Sequence, residues 1–303
     1  MKFFGTTLLA LAASTAAFTP ATSGPKSSAL FSAPPPPGPG TAPPGLARGN
    51  PVTQQIARSG NSHPQSAAVW DASQPVLVQG GSLKTWSFAS PAVERVQVVM
   101  KTEGRPLDAN LELWQGPDNT PYKMRVYVED GAQRSFNCVI ETPRGPNTVA
   151  IRNTANLEFP LVAGVVPSEV RERISPMAGA KSTPRTIQGG ALRTYPFDPN
   201  VESVRIVLQT DGRPLNSRIE LLQGPNNIKQ VMELYTEDGM DRPYIAIIET
   251  PGSGNVVRVV NTATMEFPLT ALVEADMIGD GMGGAAEAVL GGDGPGFMLD
   301  RAW

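Results

Sequence analysis

The chain has 303 residues, 40% hydrophobic and 17% charged, which is room for two ordinary globular domains. A net charge of −3 with both signs interspersed gives no electrostatic footprint for nucleic acid. One cysteine, Cys138, and one histidine, His63, exclude an intrachain disulfide framework, a multi-thiolate metal site and a His-rich one, and leave almost no conventional general base.

The amino terminus, MKFFGTTLLALAASTAAFTP, combines Lys2, a short apolar run and the small residues Ala16 and Ala17 before Phe18. That is the layout of a signal peptide, expected over 1–17, and it is too short for a stable membrane helix. Residues 18–70 carry no Asp or Glu and are rich in Ser, Pro, Ala and Gly. We read 18–50 as a transit peptide with a Pro-rich spacer (APPPPGPGTAPP), a plastid transit peptide by the resemblance of ASTAAFTP to bipartite plastid presequences, and 51–74 as an N-terminal extension. A signal peptide followed by a transit peptide implies more than one membrane to cross; a secreted protein with a Pro-rich stalk is the alternative.

From residue 75 the chain duplicates itself. GRPLDANLELWQGPDN at 104–119 returns at 212–227 as GRPLNSRIELLQGPNN, and about half of the positions between Gly104 and Leu161 are identical to those 108 residues on. This predicts a tandem repeat, with β repeat 1 at 75–166, a linker at 167–186 and β repeat 2 at 187–274. Within each copy apolar and polar residues alternate (ERVQVVMKT, NLELW, KMRVYVEDG), and turn signals fall every 8–12 residues. The fold class expected is all-β: two homologous antiparallel β-sandwich-like domains of six to eight short strands each. The linker has room for one short helix around residues 169–173 before Pro176. Residues 275–303 read as a flexible Gly-rich tail ending in FMLDRAW, where Phe297, Met298, Leu299, Arg301 and Trp303 form a candidate docking segment for self-assembly, with folding back on its own domain as the alternative.

No catalytic, cofactor-binding or metal-ligating constellation stands out. Cys138 lies in an alternating strand and is replaced by Ala246 in the second copy, the mark of a small core residue. The carboxylates that recur (Glu112/Glu220, Asp130/Asp238, Glu141/Glu249, Glu158/Glu266) raise a paired-carboxylate hydrolase or calcium site. Asp130 and Asp238, however, sit in Asp-Gly turns, and Glu112 and Glu220 are expected to face solvent or pair with Arg105 and Arg213. A carbohydrate-binding module would need an aromatic platform. Its candidates Trp86, Trp114, Tyr122 and Tyr127 become Tyr195, Leu222, Gln230 and Tyr235, and losing the flat ring at Leu222 is what a core tolerates and a platform does not. The repeated phrase reads as scaffold: Gly104, Arg105, Pro106, Leu107, Gln115, Gly116 and Pro117, with Gly212, Arg213, Pro214, Leu215, Gln223, Gly224 and Pro225.

The paired phrases, together with YVEDG/YTEDG, IETP and NTANLEFPL/NTATMEFPL, resemble the diatom pyrenoid shell proteins over about residues 75–274. The resemblance implies a structural, non-enzymatic protein that assembles with itself into a sheet around the Rubisco matrix of the pyrenoid, at its periphery in the plastid stroma. It also implies support of CO2 concentration, Rubisco or other pyrenoid proteins as further partners, and no cofactor. A carbohydrate-binding β-sandwich remains the competing reading.

Overall fold

The structure is a computed structural model and describes residues 51–58, 63–169 and 176–279. The signal and transit peptides, most of the linker helix expected around 169–173, and the 297–303 docking segment lie outside the described residues.

Alternation produces the strands. In Leu107–Trp114 the residues Leu107, Ala109, Leu111 and Leu113 are fully buried while Asp108, Asn110, Glu112 and Trp114 face outward; Tyr122–Val128 repeats the pattern with Lys123, Arg125 and Tyr127 outside. Each fully buried Leu or Val contributes about 1.5–3 kcal/mol relative to exposure. Among the described residues sixteen strands result, in counterpart pairs. They are β1 Val76–Val78 and β9 Arg185–Ile187; β2 Leu83–Phe88 and β10 Leu192–Pro196; β3 Val93–Lys101 and β11 Val201–Gln209; β4 Leu107–Trp114 and β12 Leu215–Gln223. The rest are β5 Tyr122–Val128 and β13 Ile228–Thr236; β6 Phe136–Glu141 and β14 Tyr244–Glu249; β7 Asn147–Asn153 and β15 Asn255–Asn261; β8 Leu161–Glu169 and β16 Leu269–Ile278.

The fold is all-β and antiparallel, and its two sheets each draw on both copies. Sheet A runs β1-β8-β3-β6-β14-β11-β16-β9 and sheet B runs β10-β15-β12-β13-β5-β4-β7-β2. Each copy therefore supplies four strands to each sheet. The copies do not stand apart as two bodies: they join edge to edge at β6·β14 and β5·β13, over one continuous core that runs from Val78 and Leu161 to Ile187 and Leu269.

The register locates the symmetry. Cys138 pairs with Ala246 in sheet A and Arg125 with Glu233 in sheet B, and in each pair the partners are counterparts 108 residues apart. A pseudo-twofold axis thus crosses both sheets at these two pairs, normal to them. Seven residue pairs register across β5·β13 and three across β6·β14.

Among the described residues two helices precede the strands, α1 Pro51–Arg58 and α2 Pro64–Ala72. Ile56, Ala57, Val69 and Trp70 cover Val99 and Val162 on the outer face of sheet A, forming a second, smaller apolar cluster. No acidic residue precedes Asp71 in this stretch, which continues the composition of the segment before it, yet His63 caps α2 by accepting from Gln65 N–H at 3.2 Å, with Pro64 at the first helical position.

Candidate functional site

The repeated phrase has two jobs. Gly104 and Gly212 take φ of 72° and 97° in the turn before β4 and β12, and Arg105 and Arg213 carbonyls accept from Gly131 and Gly239 N–H at 3.1 and 3.0 Å. Pro106 and Pro214 are exposed and Leu107 and Leu215 enter the core. Gln115 and Gln223 close their turns, with Gly116–Pro117 and Gly224–Pro225, by donating backbone N–H to Asn119 and Asn227 carbonyls, both at 2.9 Å.

The glutamine side chains then cross between copies. Gln115 Oε1 accepts from Arg242 Nη2 at 3.0 Å, and Gln223 Oε1 accepts from Arg134 Nη2 at 2.8 Å. Their amide nitrogens stay within their own copy, on the Pro143 carbonyl and the Pro251 carbonyl, both at 3.1 Å. The two contacts are counterparts, so the copies clasp each other reciprocally. Arg134 and Arg242 are only 3% exposed. Desolvation lowers the pKa of both, opposed at Arg134 by Glu129 and Asp130 and at Arg242 by Asp241 and Glu237. Sequence reading missed these arginines because turn-region Arg is usually solvated. The available signal was that Arg recurs 19 residues after Gln in both copies.

The extension adds a further, one-sided tie across the same seam. From α2, which packs on copy 1, His63 Nε2 reaches Asp276 Oδ2 of β16 at 2.8 Å, and His63 N–H donates to Glu249 Oε1 of β14 at 3.0 Å. Glu249 is buried and also accepts from the Ser135 hydroxyl at 2.9 Å; burial raises its pKa, against which the His63 and Ser135 hydrogen bonds act. Its counterpart Glu141 has Arg95 opposite, whereas Glu249 has Ser203 there, and the His63 N–H of the extension is among the groups that bond it instead.

The recurring carboxylates are spread over the body. Asp130 and Asp238 accept turn N–H groups from Ala132 and Gln133, and from Met240 and Asp241. Glu112 accepts from Trp114 Nε1 at 2.8 Å, and Glu220, 3% exposed, pairs with Arg218 and Arg258. This corrects the expected pairing with Arg105 and Arg213, whose guanidinium groups stack over Phe159 and Phe267 at 5.5 and 5.4 Å from the ring centroids. Glu158 and Glu266 are exposed. Cys138 is fully buried in the core, which pushes its thiol pKa far up and makes it unreactive.

Among the described residues no group of three or more His, Cys, Asp or Glu side chains is placed to hold a metal ion. A cavity of about 80 Å³ lies on sheet A over the seam, lined by Gln65, Gln97, Asn137, Arg205 and Asp276 among others. Ligand pockets usually enclose roughly 300–1,000 Å³, so this one holds at most a few waters. The aromatic candidates scatter: Tyr122 is fully buried, Trp86 and Tyr195 pack on the core, and Tyr127 and Tyr235, each 38% exposed, stand on the outer face of sheet B.

What these features define is a duplicated β-sandwich whose two copies are joined by paired strands and reciprocal side-chain contacts at an internal seam. The sequence profile of the diatom pyrenoid shell protein family matches residues 70–275, and the chain belongs to that family. Its class is thus that of structural pyrenoid shell proteins. No curated protein matches it. Among solved structures it is similar to the PBSX exported protein XepA, at 11% identity and a TM-score of 0.23 over 66% of this chain and 84% of that one. It is similar also to the tandem CBM22-1-CBM22-2 domain of Paenibacillus barcinonensis Xyn10C, at 11% and 0.22 over 66% and 92%. Scores this low carry no argument about function.

Proposed function

We propose that the chain is a self-assembling tile that forms a sheet-like shell around the Rubisco matrix of the pyrenoid, at its periphery in the plastid stroma, and supports CO2 concentration and fixation by limiting leakage. The observation that carries this reading is the edge-to-edge fusion of the two copies. It buries one edge of each copy at the seam and leaves similar outer edges, β1/β2 and β9/β10, at the two ends of one body. A unit with equivalent ends can be bound at both, which is the requirement for extended growth. Many weak contacts per unit then suffice, because they act together. The apolar residues Phe297, Met298, Leu299 and Trp303, with Arg301, strap a neighbouring copy in this scheme, and Rubisco or other pyrenoid proteins meet one face.

Size-exclusion chromatography and negative-stain microscopy of purified residues 51–303 test the proposal. Very large species with sheet or tube morphology are expected; a monomer at every concentration and salt would overturn it. Tyr127 and Tyr235, retained in both copies and exposed on one face, favour carbohydrate binding as the second reading. A glycan array that is positive, and negative for Tyr127→Ala with Tyr235→Ala, would move the conclusion there.

A further inference from the structure

Leu157 and Met265 are the most exposed large hydrophobic residues described, 78% and 81% exposed against 60% for the next. They are counterparts, 108 residues apart, so an aliphatic side chain stands in solvent at the same place in both copies. The loops that carry them, 154–160 and 262–268, are firmly built. Asn153 Nδ2 donates to the Val78 and Phe159 carbonyls at 3.0 and 2.8 Å, and its Oδ1 accepts from Ala155 N–H at 3.0 Å. Asn261 does the same with Ile187, Phe267 and Ala263 at 3.0, 2.8 and 3.0 Å. Arg105 and Arg213 stack on the phenylalanines that close each loop. Beneath them the β1–β2 and β9–β10 turns come so close that a Cβ on Gly80 or Gly189 would lie 2.0 or 1.8 Å from the carbonyl oxygen of Asn156 or Thr264. A rigid loop loses little entropy when it docks, and nothing in this support requires an apolar tip.

Because the axis is normal to the sheets and the loops lie over the outermost strands, Leu157 and Met265 occupy opposite corners of the body. Each corner carries both signs of charge. Glu158 and Glu266 follow the apolar tips and are exposed, while the adjacent edge strands present Lys84, exposed, and Arg193, half-buried, beside Leu192, 59% exposed. An end of one copy thus offers to the same kind of end on another both an apolar tip and charges of opposite sign, Glu158 or Glu266 for Lys84 or Arg193. Direct strand pairing would instead bring the basic edges together, which is how natural edges avoid it.

We infer that loops 154–160 and 262–268 are the docking contacts through which one copy of this chain binds another. The inference rests on the self-assembly reading and names its contacts. The experiment compares residues 51–303 with L157D, M265D and the double variant, by sedimentation and microscopy, with circular dichroism to confirm the fold. The double variant is expected to be folded and monomeric; each single variant, with one live end, stops at small species at concentrations roughly tenfold or more above those at which wild type forms large ones. Charge reversal with E158K and E266K is expected to block assembly, and adding K84E and R193E to restore it, a rescue that occurs only if the partner is another copy. Wild-type assembly together with a folded double variant that assembles equally well overturns this inference and leaves the self-assembly reading standing. Wild-type protein that never assembles overturns both.

Discussion

Replacing Arg242 by Met removes one of the two reciprocal clasps while keeping the length of the buried stem. The lost contact is a charge-assisted hydrogen bond of 3.0 Å to Gln115, worth about 1.5–3 kcal/mol, and Gln115 Oε1 is left without its donor at the seam. Relief of the arginine's desolvation, which lowers its pKa in the native state, returns part of this, so the expected net loss is about 1–3 kcal/mol. Urea unfolding of R242M, Gln115→Leu and the double variant isolates the pair, with a coupling of about 1–2 kcal/mol expected. R134M with Gln223→Leu should behave alike, because the geometry recurs at 2.8 Å. All variants should unfold in one transition with the wild-type m value, since one core spans both copies. Coupling below about 0.5 kcal/mol at both clasps, the ordinary error of additivity, or two resolved transitions would refute the reasoning.

Gly80→Ala and Gly189→Ala place a Cβ 2.0 and 1.8 Å from a backbone carbonyl oxygen; each should cost about 1–3 kcal/mol in urea unfolding, and an unchanged midpoint would mean that the loop does not rest on the turn. His63→Ala removes the α2 cap and the 2.8 Å contact to Asp276, with an expected loss of about 1–2 kcal/mol. Amide exchange in residues 64–72 should accelerate, and protection equal to wild type would argue against the tie. For Glu249, burial raises the native pKa above the unfolded value. Its contribution is therefore fully present below the ordinary glutamate range and is lost as pH rises through the raised value. Melting curves from about pH 4 to about pH 8 should show Glu249→Gln gaining on wild type as pH rises; a constant difference would remove the buried charge as the cause.

Strands were legible because their exposure follows a period of two, as in Leu107–Trp114 and Tyr122–Val128, and because Gly and Asp-Gly mark the turns between them. The duplication announced two equivalent units. How those units meet was not legible: Arg125 facing Glu233 and Cys138 facing Ala246 are long-range pairings, and a strand sequence carries no label for the edge it will share. Yet both pairs suit an axis where counterparts meet. Two arginines or two glutamates there would repel, and two large side chains would collide, so divergence of the copies at 125/233 has a physical reason. Helices α1 and α2 were hidden by a composition with no acidic residue before Asp71, although His63-Pro64 ahead of Val69 and Trp70 is a helix start with an apolar face to bury.

The unequal stitching of the seam has a mechanical side. Seven residue pairs hold sheet B together across the middle and three hold sheet A. Bending that stretches sheet A therefore strains fewer backbone hydrogen bonds than bending that stretches sheet B, and the body is more compliant toward a curve with sheet B on its inner side. Across the weaker leaf lies the tie from His63 to Asp276 and Glu249. A segment whose composition suggested only a passenger at the start of the chain is placed as a tension member, limiting how far the tile can flex.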